Sequence, residues 1–501
     1  MQDENEIPKR KLSLKKSRKK FNSIHEEEKV FNTDVVNWQI RVRLVLFSIF
    51  ACALSITVAA KIRFTPVISH ALSVHFNNKF PQAQMEWIGR LYAIIVLCML
   101  PIVTGVIDYY KIGYRFALCI SGLMHMIACI TNSTVVHPLF FVLTDSFICG
   151  FGSAISFAVF LLAVDDIFPK GNRFRVPATA LCQGSTIGSL FILDLFAYLA
   201  KHLGWMMLQL CLAGLFSIEA AMLILTCPEH GLKVRVKQRG GSKGLSDKSL
   251  ELESFQKPEI TPNKLLGLTF IEMNYSPSVF PWLVYRFFMT IIHQGVFTLV
   301  LTDSHLITTP DIDILLPQYY ATTLSALLYA SGESLFYLLG AAFGYFILGY
   351  LLHVSIGFLC ILFLVTVTWQ PVRLQMAQSM MVGNAVCACL TGVCIGALGT
   401  CLIAASEEAT MIPGRKIFPF VKLIEGLAFT FSPFLFDILN KISEQNIWLL
   451  TFSVLTAANA CLLVFILHRL YTKYLENSKD SKMTIQVSMR PVTLLSKFDS
   501  S

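Results

Sequence analysis

Apolar stretches of membrane-spanning length dominate this chain, with about a dozen segments of roughly 18 to 25 residues arranged on both sides of one long basic loop. Crossing a bilayer core about 30 Å thick takes roughly 20 helical residues, because unpaired backbone amides are costly in hydrocarbon. The pattern predicts an all-α polytopic membrane protein with about 12 transmembrane helices in two six-helix bundles. The predicted spans are residues 43–70, 87–108, 115–134, 138–164, 176–200, 204–226, 281–303, 322–350, 354–370, 378–405, 416–439 and 447–468.

The composition argues against a large soluble protein. Hydrophobic residues make up 54% of the 501 residues, charged residues only 15%, and the mean hydropathy is +0.61. The formal net charge of +9 comes from lysines and arginines in tails and loops rather than from a basic face with interleaved aromatic residues. We therefore predict the lipid bilayer, and no nucleic acid, as a partner.

The distribution of charge divides the chain and predicts its orientation. Residues 1–41 are predicted as a disordered basic tail, 42–226 as the N-terminal bundle, 227–280 as a basic linker, 281–470 as the C-terminal bundle and 471–501 as a disordered tail. Cations concentrate in the tails and the linker, whereas the loop after the seventh span carries Asp303, Asp311 and Asp313. By the positive-inside rule, both termini and the linker are predicted to be cytosolic.

Cysteine and glycine-rich patterns predict neither a metal site nor a cofactor. The 14 cysteines lie in or beside the apolar spans, without a disulfide framework or zinc-ligand spacing. The segment Arg239-Gly240-Gly241-Ser242-Lys243-Gly244 lacks the glycine that precedes lysine in a nucleotide-binding loop. Asn132-Ser133-Thr134 matches a glycosylation acceptor, in a short loop predicted to lie on the outer side.

A local motif lies between the second and third spans. Gly105, Asp108, Gly113 and Arg115 resemble the glycine, aspartate, glycine and arginine loop of the major facilitator superfamily, with a longer gap after the aspartate. The resemblance implies two bundles that rock around a central cavity and a cytosolic gate that contains Asp108, Gly113 and Arg115. We also predict gate salt bridges from Asp165-Asp166 and Glu407-Glu408, since basic residues follow each pair.

Within that superfamily the first half is most similar to the monocarboxylate transporters. The segments that carry the similarity are Glu86-Trp87-Ile88, Gly150-Phe151-Gly152-Ser153, Phe168-Pro169-Lys170-Gly171-Asn172-Arg173, Gly184-Ser185-Thr186-Ile187-Gly188 and Gly204-Trp205. Glu333 is similar in place to an acidic residue of the branch's eighth span, whereas Tyr337 stands where the branch carries arginine. The resemblance implies a monocarboxylate as solute.

Ionisable residues inside the spans are the candidate site residues, because each costs at least about 2.5 to 3.5 kcal/mol to insert. Lys61 and Arg63 lie near the outer end of the first span, either in the cavity or snorkelling to the headgroups. Arg286 and His293 are seven residues apart on one face of the seventh span, with Gln294 beside them. We predict that these five residues contact an anionic solute.

Three acids in later spans are candidates for proton coupling. Asp194, Glu333 and Glu425 lie several residues inside the fifth, eighth and eleventh spans. A proton-coupled carrier needs a buried carboxyl that takes up and releases a proton, while ion pairs with Arg63 or Lys422 are the alternative. Glu219, in the sixth span, is expected to face packing interfaces.

These features favour a secondary active or facilitative transporter of a small organic solute, an anion such as a monocarboxylate, with proton coupling open. One alternative is a transporter-like receptor or scaffold that does not transport. Another is a polytopic acyltransferase that uses His125 or His293, although the sequence shows no Asn, Asp or Ser at a spacing that activates either histidine. We predict a transporter and not an enzyme.

Overall fold

The computed structural model is almost entirely helical over the residues it describes, which are 42–62, 82–135, 137–167, 175–182, 186–227, 276, 278–308, 324–375, 380–441 and 445–489. Within these ranges, eleven helices are long and apolar enough to cross a membrane, and Thr186–Ala200 is a shorter apolar helix. The prediction of an all-α, multi-pass integral membrane protein with about twelve spans is confirmed. Residues 1–41, residues 490–501 of the predicted tail 471–501, and residues 228–275 of the predicted linker lie outside the described residues. Residues 471–489 of that tail are helical, contrary to the prediction that they are disordered.

The N-terminal half contains helices that we number α1 to α6. Their bounds are α1 Val42–Ile62, α2 Gln82–Cys98 continued by Leu100–Tyr109, α3 Tyr114–Ser133, α4 Pro138–Phe141 continued by Val142–Cys149 and Gly150–Ile167, α5 Thr186–Ala200 and α6 His202–Thr226. A short helix, Arg175–Cys182, precedes α5. Helix α3 packs against α4 and α6, and α2 packs against α4.

The C-terminal half contains α7 to α12. Their bounds are α7 Val279–Thr308, α8 Leu324–Phe343, α9 Leu351–Gln375, α10 Met380–Thr400, α11 Gly414–Lys441 and α12 Gln445–Met489. The short helix Leu402–Thr410, named here the α10–α11 helix, follows α10. Helix α8 packs against α10, α7 packs against α11 and α12, and α9 packs against α10 and α12.

Helices of the two halves pack against each other at several places. Helix α2 lies antiparallel to α11, so that Trp87 contacts Phe434 at one end, with ring centroids 5.8 Å apart, and Cys98 approaches Gly426 near the middle. Helix α5 approaches α8, where the amide of Ile187 donates to the Ser334 hydroxyl at 3.0 Å. We call the end of the bundles nearest Asp108 and Arg415 the linker end, because the linker joins α6 and α7 there.

Several predicted spans are not single regular helices. Residues 138–164 include a π-helical segment at Val142–Cys149. The predicted span 378–405 divides at Cys401, and 322–350 ends as an α-helix at Phe343, followed by a 3₁₀ turn. Gly204 adopts φ 78°, a left-handed conformation that breaks the regular helix near the start of α6. Hydropathy is continuous across these positions and therefore does not detect such backbone changes.

The positive-inside rule makes a topology prediction that can be measured directly. An epitope tag inserted beside Gly241 in the linker is expected to bind antibody only after the membrane is permeabilised. A tag within residues 309–323, between α7 and α8 in the sequence, should bind antibody in intact cells or in vesicles sealed with this side outward. Staining of the linker tag without permeabilisation would contradict the predicted orientation.

Candidate functional site

A buried ion pair lies inside the N-terminal bundle. The Lys61 Nζ atom, at the end of α1, is 2.5 Å from Asp145 Oδ1 in the π-helical part of α4. It is also 3.0 Å from Cys149 Sγ and 4.5 Å from the centroid of the Tyr92 ring. The side chains of Lys61 and Asp145 are 2% and 1% exposed. Lys61 therefore points into the bundle instead of snorkelling, while Arg63 lies outside the described residues.

Asn132 completes this group of residues, which we call the Lys61 cluster: Lys61, Tyr92, Asn132, Asp145 and Cys149. The Asn132 side chain donates to Asp145 Oδ1 at 3.1 Å and accepts a hydrogen bond from Thr144. Asn132 is fully buried. The glycosylation acceptor pattern at this residue is consequently inaccessible in the folded protein.

A hydroxyl and imidazole network adjoins the Lys61 cluster. His125 Nε2 is 2.8 Å from Ser153 Oγ, which is 2.7 Å from the Tyr92 hydroxyl. The His125 ring stacks on Phe216 of α6, with ring centroids 4.4 Å apart. The sequence shows no serine at a spacing that activates His125, but α3 and α4 bring Ser153, 28 positions away, next to its ring. Spacing along one segment cannot reveal such a pair.

A second group of charges lies in the C-terminal bundle, between α7 and α11. Arg286 Nη2 is 2.5 Å from Glu425 Oε1, and Lys422 Nζ is 2.7 Å from Glu425 Oε2. The Arg286 and Glu425 side chains are about nine-tenths buried, whereas Lys422 is 24% exposed. Gln294 accepts a hydrogen bond from Ser432 at 2.6 Å, which ties α7 to α11 a second time. We call Arg286, Lys422 and Glu425 the Arg286 cluster.

Glu333 and His293 come together across α7 and α8. Glu333 Oε1 is 3.7 Å from His293 Nε2 and accepts a 3.4 Å hydrogen bond from the Tyr337 hydroxyl. The Glu333 side chain is 1% exposed and that of His293 is 34% exposed. Tyr337 also interacts electrostatically with Arg286, so this pair adjoins the Arg286 cluster. Asp194, the third predicted coupling acid, is half-buried on α5.

Ion pairs connect the two bundles at the linker end. Arg415 of α11 pairs with Asp108 of α2 and, at 2.7 Å, with Asp166 of α4. Arg175 Nη2 is 2.6 Å from both Asp165 in its own bundle and Glu407 on the α10–α11 helix. Three of the four predicted acids, Asp165, Asp166 and Glu407, therefore form salt bridges. Both bridges of Arg415 and the bridge from Arg175 to Glu407 cross between the bundles.

The other predicted gate residues have local roles at the same end. Gly113 is the N-cap residue of α3, and Arg115 Nε donates to the Cys227 carbonyl at 3.2 Å, at the end of α6. Glu408 accepts hydrogen bonds from the amides of Gly349 and Leu352 at the start of α9. Burial raises the pKa of the Glu408 carboxyl, and these backbone amides oppose that rise.

Glu219 lies in a packing interface between helices, as its position in the sequence predicts. Glu219 of α6 accepts a 2.7 Å hydrogen bond from Thr57 of α1, which agrees with its expected place in a packing interface. Thirteen described cysteines are free thiols. Over the described residues, no group of three or more His, Cys, Asp or Glu side chains is arranged to hold a metal ion.

Comparison with known proteins identifies the fold. No protein-family model and no curated protein sequence matches the chain. Among solved structures, the human organic anion transporter MFSD10 (TETRAN) is similar at 11% identity and a TM-score of 0.55, covering 84% of this chain and 99% of that one. The proton:xylose symporter XylE, bound to 6-bromo-6-deoxy-D-glucose, is similar at 11% identity and a TM-score of 0.54, covering 84% and 95%. The chain has the major facilitator fold.

Proposed function

We propose that this protein is a secondary transporter that moves a small organic anion, such as a monocarboxylate, across a membrane by alternating access. The observation that carries the proposal is the set of ion pairs that join the two bundles at the linker end. The similar folds of an organic anion transporter and a proton symporter support it. The charges of the Arg286 cluster support an anionic solute, and the position of Glu333 supports proton coupling.

The inter-bundle ion pairs suit an interface that opens and closes. Asp108 is 49% exposed and Arg415 is 23% exposed, so water can solvate both groups when the bundles separate. An exposed ion pair stabilises the closed interface by only about 0 to 1 kcal/mol, and the binding free energy of a solute can offset this amount. The Arg415–Asp108 pair therefore helps to align the closed ends without making closure irreversible.

The balance of charge in the Arg286 cluster favours an anionic solute. Arg286 and Lys422 carry +1 each and Glu425 carries −1, which leaves a formal charge of +1. Arg286 Nε is buried without a hydrogen-bond partner among the described residues, so a donor is available for a solute oxygen. A carboxylate would neutralise the excess charge and accept this hydrogen bond.

Glu333 supplies a means of proton coupling at the same place. When Glu333 is ionised, its charge offsets the +1 of the Arg286 cluster; when it is protonated, the cluster again attracts an anion. Glu425 is less suited to this role because it already contacts two cations. We accordingly propose Glu333, with His293 and Tyr337 beside it, as the first candidate for coupling, ahead of Glu425 and Asp194.

The geometry around His125 gives little support to the acyltransferase alternative. His125 is 1% exposed and Ser153 is fully buried, so neither side chain is open to a substrate in this conformation. A transporter-like receptor shares the fold, but it does not require the bundles to separate at the linker end. Flux measurements distinguish these possibilities.

Neutralising Glu333 tests the coupled transport. Purified protein in liposomes with an imposed pH gradient is expected to accumulate one or more labelled solutes from a panel of small monocarboxylates. Glu333→Gln should still exchange labelled for unlabelled solute but should lose accumulation, because the proton-carrying group is absent. Glu219→Gln, which also replaces a buried carboxyl, should accumulate solute as the wild type does. No flux of any panel member would refute the proposal.

A further inference from the structure

The Gln294 side chain of α7 uses only part of its hydrogen-bonding capacity. Its Oε1 atom accepts a 2.6 Å hydrogen bond from Ser432 Oγ of α11. Its Nε2 atom is buried and has no hydrogen-bond partner among the residues that the structure describes. A buried donor without an acceptor is unfavourable, so an acceptor supplied by a solute would be stabilised at Nε2.

Gln294 shares one face of α7 with the Arg286 cluster. Arg286 and Gln294 are eight residues apart, which corresponds to about two helical turns and about 12 Å along the helix axis. Both residues contact α11, Arg286 through Glu425 and Gln294 through Ser432. Arg286 Nε is likewise buried and unpaired within the described part of the chain. This face therefore presents two donors, at different distances from the linker end.

The side chains between these two donors are short. Thr290 lies four residues from both Arg286 and Gln294, and its hydroxyl is already bonded to the Arg286 carbonyl at 2.8 Å. On α11, Ala428 lies between the two residues that contact α7, and it is fully buried. Neither side chain adds a large ring or a further charge, so the stretch between the two donors suits a carbon chain.

We propose that Gln294 contacts the solute and selects organic anions that carry a second acceptor. The solute carboxylate binds at Arg286, and a carbonyl oxygen farther along the solute accepts a hydrogen bond from Gln294 Nε2. This inference rests on the proposed function and names the class of its solute, an oxo acid with a distal carbonyl group. With about 12 Å between the donors and about 3 Å for each hydrogen bond, the two acceptors lie about 6 Å apart.

Binding of a matched pair of labelled acids tests this assignment. 5-Oxohexanoate and hexanoate have the same carbon chain and differ in one carbonyl group. At one fixed pH, the purified wild type should bind the oxo acid about five- to tenfold more tightly, as one additional hydrogen bond provides. Gln294→Met, which keeps the length of the side chain, should remove this preference by weakening binding of the oxo acid alone. A purely structural role of Gln294 would instead weaken binding of both acids equally.

Asn384 provides a matched control in the same bundle. Its Oδ1 atom accepts a 3.1 Å hydrogen bond from Trp369 Nε1 of α9, and its buried Nδ2 atom has no partner in the described chain, but it lies between α9 and α10. Asn384→Leu should therefore keep the preference for the oxo acid.

The comparison of the two acids in the wild type requires no variant to fold. Equal binding of both acids or binding of neither would overturn the assignment, as would a preference that survives in Gln294→Met, an equal loss of both acids there, or loss of the preference in Asn384→Leu. Flux of another monocarboxylate together with any of these results would leave the proposed function standing. Absence of flux of every panel member would refute both.

Discussion

Replacing Arg415 with Glu is expected to open the linker end of the protein. The substitution converts the two attractions with Asp108 and Asp166 into repulsions between like charges, at a site where one arginine joins three helices. A single-cysteine probe at this end should then react several times faster with a membrane-impermeant thiol reagent. Transport should slow because the closed state at this end becomes less populated.

Two variants make the Arg415 experiment specific. Lys111→Glu makes the same change in charge at an exposed position on the turn between α2 and α3, and it should leave the reaction rate unchanged. Asp108→Arg combined with Arg415→Glu restores one attraction and should recover part of the closed state. Equal probe reactivity in wild type and Arg415→Glu would show that these ion pairs do not control access.

Replacing Gly396 with Leu is expected to prevent stable packing of α8 against α10. A Cβ atom at Gly396 would lie 2.5 Å from the Glu333 carbonyl oxygen, and one at Gly392 would clash with the Tyr329 carbonyl. Backbone atoms cannot relieve a clash by changing rotamer, as side-chain atoms can. We therefore expect the substitution to lower the free energy of unfolding by at least the usual overpacking cost of about 1 to 3 kcal/mol. Thermal unfolding in detergent, followed by size-exclusion chromatography, measures the loss.

A glycine on a neighbouring helix provides the matched control. Gly357 of α9 is exposed, and no heavy atom lies within 4 Å of the place that a Cβ atom would occupy there. Gly357→Ala should therefore leave stability unchanged or raise it by up to about 1 kcal/mol. If Gly396→Leu unfolds at the same temperature as Gly357→Ala, the close contact between α8 and α10 is not required for stability.

The spans were predictable because unpaired backbone amides are costly in lipid. Every segment that crosses the bilayer therefore has to be a long apolar helix. The ends of helices were less predictable. Cys401 interrupts α10 without a proline or a charge, and Gly204 changes the backbone direction inside an apolar stretch. These features depend on tertiary packing and on single dihedral angles, which the hydropathy of a segment does not report.

Some features of the charged residues were also predictable from the sequence, and others were not. Burial of Glu333 and Glu425 was expected from their positions in apolar spans, whereas snorkelling of Lys61 and pairing of Lys422 with Glu425 were open alternatives. Asp145 was missed, although an aspartate seven residues inside a predicted span satisfies the same criterion. Its pairing with Lys61, 84 residues away, could not be read from spacing because it depends on how α1 and α4 pack.

Distances between spin labels, measured by pulsed electron paramagnetic resonance in liposomes, test the central claim of alternating access most directly. One label pair, at Lys111 and Tyr350, reports the linker end, and another, at Leu203 and Leu450, reports the opposite end; all four positions are exposed. The account predicts that Arg415→Glu lengthens the first distance and shortens the second. If both distances remain unchanged, or both lengthen together, the two bundles do not alternate between open ends and the proposed transport mechanism is wrong.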